Sequence, residues 1–353
     1  MTQKKPRKKQ QNQDPINAFF RRPGVKKALK WVILPTLLYF VLFCAFTWPW
    51  ITHFNNAFFT DAGDGLQNVW NMWWIDKAVT QLHVMPWFTN YLHEPWGVTL
   101  VGQTLNPING FVGVVLQTFL SLVQAFNVMI TFSFVFGGLT MFWLCRFLTK
   151  SMGRSYIPSL IGGAMFTFSS YHFSHAIGHM QLVSLEFIPL FVLLWWKFLL
   201  KPNYRLAVGT AVTLLLVLFC DYYYFLYSLL MAIFITAYLL WRKDIAFADF
   251  KKPSHYRPAA LFVVLCLIVV APLPVALLKA NAHGGLVGAH DARTFSTDIA
   301  SPFIDGGFWH FSWLTNFYWH RVRGFIAETT VYLGISVWLV LAIFGVLLLS
   351  LNR

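Results

Sequence analysis

Long apolar windows separated by shorter polar segments recur along this chain of 353 residues. The windows lie near residues 30–50, 106–124, 126–147, 156–172, 182–200, 205–220, 222–241, 258–279 and 328–350. A bilayer core needs about 20 mostly apolar residues for each helical crossing. The pattern therefore predicts an all-α polytopic membrane protein with about eight or nine transmembrane helices.

Two long polar segments interrupt the apolar pattern, at 51–105 and at 280–327. Connections longer than about 15 residues are uncommon in compact proteins unless they are functional. We therefore expect both to be outer loops that carry interfacial helices. Residues 1–28 are expected to form a disordered basic cytoplasmic tail, and 29–353 a single transmembrane domain.

The first long loop contains the stretch TDAGDGLQNVWNMWW, from Thr60 to Trp74. Its polar residues fall at helical spacing, while its indoles cover the other faces; the polar set is Asp64, Gln67, Asn68 and Asn71, and the indoles are Trp70, Trp73 and Trp74. Such a pattern is typical of an amphipathic helix in the membrane interface, with the indoles at headgroup depth.

Composition excludes an ordinary soluble domain, because 57% of the residues are hydrophobic, 18% are aromatic and only 11% are charged. The net charge of +14 does not indicate a nucleic-acid partner, because ten of the 27 Lys and Arg residues lie in the first thirty positions, directly before an apolar window. This tract predicts a cytoplasmic N-terminus in a plasma (inner) membrane and contact with membrane lipids.

Further basic loops follow at 146–154, 197–205 and 242–257, and they predict the same cytoplasmic side. Ten of the 13 acidic residues then lie at or near the extracellular or periplasmic face, which makes that face the candidate working face. One conflict remains, because full crossings at both 106–124 and 126–147 would return Arg146 to the outside. Either 106–124 is re-entrant or incomplete, or the positive-inside rule fails for that loop.

Asp61 and Asp64 are the candidate catalytic residues of the first loop, since carboxylates held just above the lipid can serve as a general base. The alternative is structural, with Asp61 in a turn and Asp64 as a helix N-cap. Later in the loop, Glu94 and Asn106 have either a substrate-binding role or a capping role.

A histidine stripe follows the fourth window, with His172, His175 and His179 spaced i, i+3, i+7 and Glu186 seven residues further on. On one continuous helix these four side chains would lie within a sector of about 60°. They would then suit a divalent metal such as Mg or Mn, or a phosphate. The alternative is three hydrated interfacial histidines at the mouth of a cavity.

Asp221 lies between two apolar windows, where a carboxylate is expensive unless it faces water or a partner. The second outer loop holds Arg293, Arg321 and Arg323 together with histidines that include His290, and Glu328 begins the last window. Arginine forks match phosphate geometry, so the loop is a candidate substrate-binding phosphate clamp. An ordinary solvated loop at lipid headgroups is the alternative.

The order of a basic tail, one span, a long acidic outer loop, several spans and a second long outer loop resembles the GT-C superfamily of membrane glycosyltransferases. Its members carry a short acidic motif in the first outer loop, and here the matching segment is DAGD, with Asp61 and Asp64 one residue further apart than in DxD. The segments YHFSHAIGHMQLVSLEFIPL and ETTVYLGISVWLVL also resemble poorly characterised bacterial members.

This resemblance implies transfer of a sugar from a polyprenyl-phosphate-linked donor to a glycan, lipid or protein acceptor of the cell envelope. Members often continue with more spans, so we expect a shortened member or a fragment. The sequence contains no Walker, dinucleotide, HExxH or GxSxG motif. The alternatives are a lipid or glycan transporter or flippase, favoured by paired broken helices, and a non-catalytic partner in envelope assembly.

Overall fold

Four apolar helices of membrane-spanning length organise the protein. The computed structural model describes residues 22–153, 155–282, 296–304, 312–321 and 330–351. Within these residues the helices long and apolar enough to cross a membrane are Pro23–Phe46, Leu122–Leu148, Tyr222–Trp241 and Pro253–Ala282. Shorter apolar helices cover Pro107–Gln117, Ile188–Leu200, Tyr204–Cys220 and Ile335–Leu347. The predicted all-α class with apolar helices of membrane-spanning length is confirmed in this coarse form, whereas the count of eight or nine crossings stays a prediction.

The helices in chain order are α1 (Pro23–Phe46), α2 (Asp64–Asp76), α3 (Pro107–Gln117), α4 (Leu122–Leu148), α5 (Tyr156–Thr167), α6 (Ser170–Ala176), α7 (Met180–Val183), α8 (Ile188–Leu200), α9 (Tyr204–Cys220), α10 (Tyr222–Trp241), α11 (Pro253–Val270), α12 (Pro272–Ala282), α13 (Asn316–Trp319) and α14 (Ile335–Leu351). Strands β1 (Phe88–Thr89) and β2 (Val98–Thr99) pair antiparallel within the first long loop. A π-helical turn, Lys77–Leu82, continues α2.

α4 is the central helix, and α1, α5 and α8 pack against it. Glycines allow the closest approach, because a Cβ added to Gly163 of α5 would lie 2.6 Å from the carbonyl oxygen of Gly138 in α4. The fully buried Tyr39 of α1 fills the same junction and donates its hydroxyl hydrogen to the carbonyl of Leu160 (3.1 Å). Small residues commonly let membrane helices approach in this way.

One end of this bundle collects basic side chains. Tyr156 donates to the carbonyl of Lys30 (2.7 Å), and the guanidinium of Arg146 lies 5.4 Å from the ring of Trp31. The start of α1, the end of α4 and the start of α5 therefore meet at this end, and Lys197 near the end of α8 lies there too, over the ring of Phe147. We call it the basic end; the loop that carries Asp61 and Asp64 covers the opposite end of α4.

α3 is the helix formed by the apolar window 106–124. It has 11 residues, so it is about 16 Å long, roughly half the thickness of a bilayer core. It packs side by side with α2, where Gly113 lies against Met72. Only four residues then separate α3 from α4, whose start is fixed by a capping box of Ser121 and Gln124. The window 106–124 therefore forms a helix too short for a full crossing by length alone, which agrees with the first of the two alternatives.

Two helix pairs beside α4 are interrupted halfway along it. α5 begins beside the end of α4 and stops at Thr167, whose hydroxyl donates to the carbonyl of Phe134 (2.5 Å). α6 then continues toward the first loop. α7 and α8 return along the same path, and their break at 184–187 is tied to α4 because Thr140 donates to the carbonyl of Glu186 (2.9 Å). Both breaks therefore lie near the middle of α4.

An apolar groove of about 970 Å³ lies between α1 and α4. Its walls come from α1 residues between Val32 and Cys44 and from α4 residues between Val128 and Leu139. Phe54 and Asn55, from the loop after α1, complete it. The groove thus begins beside the first long loop and continues along the length of two membrane-length helices.

Candidate functional site

The first carboxylate of the DAGD segment caps a helix. Asp61 Oδ1 accepts hydrogen bonds from the amides of Gly63 (3.0 Å) and Gly65 (2.9 Å). Gly65 is required there, because an added Cβ would lie 2.8 Å from that oxygen. The amide of Asp61 itself donates to the carbonyl of Ile177. Asp61 therefore has the structural role of a turn residue and shapes the start of α2.

The second carboxylate meets the histidine stripe. Asp64 is the first residue of α2 rather than its N-cap, which is Gly63. Its side chain is 66% exposed, yet Oδ2 lies 3.3 Å from Nε2 of His179. Behind it, Nδ1 of His179 lies 3.1 Å from Nδ1 of the buried His175. One exposed carboxylate and two imidazoles thus form a chain from the surface to the interior.

The polar face predicted for α2 is partly buried, which corrects the prediction of a solvated face. Asn68 is 5% exposed and Asn71 is 6% exposed. Asn68 donates to the carbonyls of Asp64 (3.0 Å) and Gly178 (2.9 Å), and Asn71 donates to that of Thr104 (2.9 Å). The amides are buried because Asn68 holds α2 against the turn that follows α6, whereas Asn71 holds it against the end of the first long loop.

The tryptophans of α2 also differ from the prediction. Trp74 is 1% exposed, and its indole donates to the carbonyl of Pro86 (3.0 Å). Trp70 stacks on it with centroids 6.0 Å apart, and Trp73 is only partly exposed. These indoles belong to the hydrophobic core of the first loop. They therefore pack α2 against the rest of that loop. An exposed tryptophan of this loop is instead Trp96, which is 83% exposed.

His172 and Glu186 do not join His175 and His179. The helix assumed for 172–186 is interrupted at 177–179, and α7 ends at Val183. His172 stacks on Phe134 of α4, and its ring nitrogens lie 2.7 Å and 2.8 Å from the carbonyls of Thr167 and Val183. Ser133 of α4 lies between His172 and Glu186, and its hydroxyl is within hydrogen-bond distance of the Val183 carbonyl and the Glu186 carboxylate, to one of which it donates its single proton.

The four predicted metal ligands therefore divide into two pairs, one at the first loop and one at the helix breaks. Across the described ranges, no group of three or more His, Cys, Asp or Glu side chains is arranged to hold a metal ion. The reason is geometric, because the breaks at Thr167 and Val183 turn His172 toward backbone carbonyls and away from His175.

Asp221 is 9% exposed and joins α9 to α10 in an extended conformation. Its Oδ1 accepts a hydrogen bond from the amide of Tyr224 (2.9 Å), so it caps α10. The hydroxyl of Tyr224 in turn lies 2.7 Å from that of Tyr171 and donates to the carbonyl of Leu182 (2.6 Å). Asp221 is thus part of the junction between α10, α6 and α7 rather than of the first-loop site.

The second outer loop is described only in part. Arg321 is exposed, whereas Arg293, Arg323, His290 and Glu328 lie outside the described residues. The loop reaches the site region at its end, where the buried Thr330 donates to the hydroxyl of Ser174 in α6 (2.9 Å). Further from the site, hydrogen bonds from the Tyr318 hydroxyl and the Ala300 amide lower the pKa of Asp298.

Glu94 is exposed in the turn before β2, beside His93, whose φ is 56°. Asn106 has the capping role: it adopts the left-handed conformation and accepts a hydrogen bond from the amide of Asn109 (3.2 Å). Its amide group also donates to the carbonyl of Met180 (3.2 Å). Asn106 thus fastens α3 to α7, whereas Glu94 stays on the loop surface.

Sequence reasoning missed Asn127, which is 0% exposed. Its side chain donates to the carbonyls of Phe54 (2.8 Å) and Ala57 (2.8 Å) and accepts from the amide of Phe59 (2.9 Å). It therefore fastens the loop before Asp61 to α4. A single amide within a long apolar window was the available signal, since polar groups at that depth need partners.

No family model, curated protein or solved structure matches this chain.

Proposed function

We propose that this chain is a membrane glycosyltransferase that moves a sugar from a polyprenyl-phosphate-linked donor to a hydroxyl of a cell-envelope acceptor. The observation that carries the proposal is the exposed Asp64 carboxylate, held 3.3 Å from His179 at the start of α2 in the first long loop. A carboxylate held by a half-buried partner but open to the outside is what a general base requires.

In this mechanism Asp64 takes the proton of the acceptor hydroxyl while the hydroxyl oxygen attacks the anomeric carbon of the donor. The bond from that carbon to the phosphate oxygen breaks with inversion, and the phosphate leaves with the electron pair. Asp61 is the weaker candidate, because one of its oxygens already accepts from the amides of Gly63 and Gly65. A phosphate leaving group needs little protonation, so one base is sufficient.

The departing phosphate needs positive charge, and we assign this role to arginines of the second outer loop. Arg321 is exposed, and the end of the same loop contacts α6 through Thr330 and Ser174. Arg293 and Arg323 complete the proposed clamp as sequence-based candidates. Stabilisation of the charge that develops in the transition state often contributes more to the rate than any other effect.

The groove between α1 and α4 offers the polyprenyl chain a place to lie. It is almost wholly apolar, and its loop residues Phe54 and Asn55 precede Asp61 by seven and six positions. Asn127 holds this short connection against α4. A donor with its tail in the groove would therefore present its phosphate beside the loop that carries the carboxylates.

The proposed topology has eight crossings, with the basic end in the cytoplasm. α1, α4, α9, α10, the α11–α12 pair and α14 each cross once, and the interrupted pairs α5–α6 and α7–α8 each count as one. α3 stays on the outer side. This count supports a single orientation, because the basic loops at 146–154, 197–205 and 242–257 all fall on the cytoplasmic side.

The test is sugar transfer by purified protein in lipid nanodiscs, with a radiolabelled sugar on a polyprenyl phosphate. Asp64→Asn is expected to reduce kcat roughly 100-fold or more, the usual effect of losing a general base. Asp61→Asn keeps an oxygen for the two amides and is expected to retain most activity. Thermal unfolding of both variants controls for folding. If folded Asp64→Asn and Asp61→Asn both transfer sugar at the wild-type rate, the enzyme proposal fails.

A transporter is the second candidate, favoured by the paired helix breaks. Buried Glu186 and His172 lie at these breaks, halfway along α4, and discontinuous helices with polar groups near the bilayer midplane are characteristic of transporters. In liposomes that contain a fluorescent polyprenyl phosphate, this candidate predicts translocation by the wild type and its loss in Glu186→Gln. The enzyme proposal predicts no translocation and unchanged sugar transfer in that variant.

A further inference from the structure

The rings of His179 and His175 follow the Asp64 carboxylate toward the interior of the protein. Their contacts determine which ring nitrogens can donate or accept a hydrogen bond. Nε2 of His179 faces Asp64 Oδ2 at 3.3 Å, and Nδ1 of His179 faces Nδ1 of His175 at 3.1 Å. Both ring nitrogens of His179 are therefore occupied. His179 has no nitrogen left to take a proton from a substrate, although 17% of its side chain is exposed.

The direction of the hydrogen bonds follows from this geometry. Two facing Nδ1 atoms of neutral imidazoles share one proton. If His179 carried it, its Nε2 would present a lone pair to the Asp64 carboxylate, and two acceptors would face each other at 3.3 Å. If His175 carries it, His179 holds its own proton on Nε2 and donates to Asp64. Of these two neutral orders, only the second satisfies both contacts when Asp64 is ionised.

We propose that His175 is a positioning residue that fixes His179 as the Nε2–H tautomer, and that His179 in turn holds the Asp64 carboxylate in its working orientation. His175 is suited to this role because it is 1% exposed and its ring lies edge-on to Tyr171, with centroids 4.3 Å apart. His179 follows the end of α6, where its amide donates to the carbonyl of His175 (2.8 Å). The backbone therefore holds the two rings together.

This inference rests on the proposed function for its consequence, but the tautomer itself is independent of activity. A fixed carboxylate keeps one oxygen, Oδ1, directed away from His179 and available to the acceptor hydroxyl. Without the hydrogen bond donated by His175, His179 would exchange between its two neutral tautomers. In the Nδ1–H tautomer, the lone pair on Nε2 would repel the Asp64 carboxylate. The carboxylate would then lose its orientation although every catalytic group is still present. Wrong-tautomer effects of this kind slow serine proteases severely.

Two variants of His175 distinguish the effect of its hydrogen bond to His179 from the effect of its side-chain volume. Asn has an N–H donor close to the position of His Nδ1, so His175→Asn retains the donor, whereas His175→Leu fills similar space without one. We expect His175→Leu to lower kcat about 10-fold, the kinetic equivalent of one hydrogen bond, with KM unchanged. His175→Asn should stay near the wild-type rate. In an Asp64→Asn background, His175→Leu should have no further effect, because its action passes through Asp64.

The spectroscopic test uses ¹⁵N-histidine-labelled protein in nanodiscs, with His179 assigned by its loss in His179→Gln. Nitrogen chemical shifts distinguish the two tautomers. We expect His179 to be the Nε2–H form in the wild type and in His175→Asn, and a mixture in His175→Leu. An Nδ1–H form or a doubly protonated His179 in the wild type, or identical spectra for the two His175 variants, would overturn the inference. If the tautomers match while no protein transfers sugar, the proposed function fails and the assignment of the tautomer stands.

Discussion

At the scale of the residue, the two aspartates of one short segment have different roles. Asp61 directs its carboxylate at backbone amides and shapes the start of α2. Asp64, three positions later, directs its carboxylate at His179. Their spacing in the sequence cannot reveal this difference, because it depends on which backbone groups and which ring lie opposite each side chain.

Asn127 gives a residue-scale prediction about the first loop. Asn127→Leu leaves the carbonyls of Phe54 and Ala57 and the amide of Phe59 without their partner. We expect a loss of about 1–3 kcal/mol of stability, the usual cost of an unsatisfied buried polar group. The measurement is the midpoint of unfolding in detergent.

Thr131→Val is the matched control for Asn127→Leu. Thr131 lies one turn further along α4, and its hydroxyl donates only to the carbonyl of Asn127 in the same helix (2.8 Å). Thr131→Val should therefore change the midpoint of unfolding little. Equal midpoints for the two variants would show that the side chain of Asn127 does not hold the loop.

At the scale of the element, the breaks between α5 and α6 and between α7 and α8 are fastened by one side chain. His172 reaches carbonyls from both breaks, those of Thr167 and Val183. A broken helix leaves backbone groups without their usual partners, and His172, Ser133 and Thr140 supply replacements. The interrupted pairs are therefore stable elements of the fold.

The junction of α4 and α5 gives an element-scale prediction. Gly163→Ala places a Cβ 2.6 Å from the carbonyl oxygen of Gly138, which is backbone and cannot rotate away. We expect a loss of about 1–3 kcal/mol from overpacking, read as a lower unfolding midpoint in detergent. Gly209→Ala in α9 is the control, since its Cβ would meet only Leu194 at 3.7 Å. A midpoint for Gly163→Ala equal to that of Gly209→Ala would contradict this packing.

At the scale of the whole molecule, charge distinguishes the two ends of the bundle. Lys30, Arg146 and Lys197 lie at the basic end, and Asp61 and Asp64 lie at the other. This separation of charge supports one orientation in a membrane, with the basic end on the cytoplasmic side. Because α3 is short, the whole segment from the end of α1 to the start of α4 is proposed to stay outside.

Single cysteines test this topology in a cysteine-free variant expressed in intact bacterial cells. Gln103 and Thr118 flank α3, and both are exposed. We expect Gln103→Cys and Thr118→Cys to react with a membrane-impermeant maleimide, and Lys150→Cys to react only after the cells are permeabilised. Opposite reactivity of positions 103 and 118 would mean that α3 crosses the membrane and that the eight-crossing topology is wrong.

The sequence by itself determined the all-α class, the approximate positions of the apolar helices and the helix that begins at Asp64. These follow from composition and period, which act locally along the chain. It also identified Asp64 as a candidate from the acidic DAGD segment of the first loop, and His175 and His179 from the spacing of the histidine stripe.

Only the tertiary structure decided which of these candidates meet. His172 and Glu186 separate from His175 and His179 because the helix is interrupted, and Asn68 turns inward because the carbonyl of Gly178 lies opposite. Such outcomes depend on hydrogen-bond partners that lie outside the element itself, 53 residues apart for Ser133 and Glu186 and 110 residues apart for Asn68 and Gly178. Periodicity describes one element at a time, whereas a site is formed by several elements packed together.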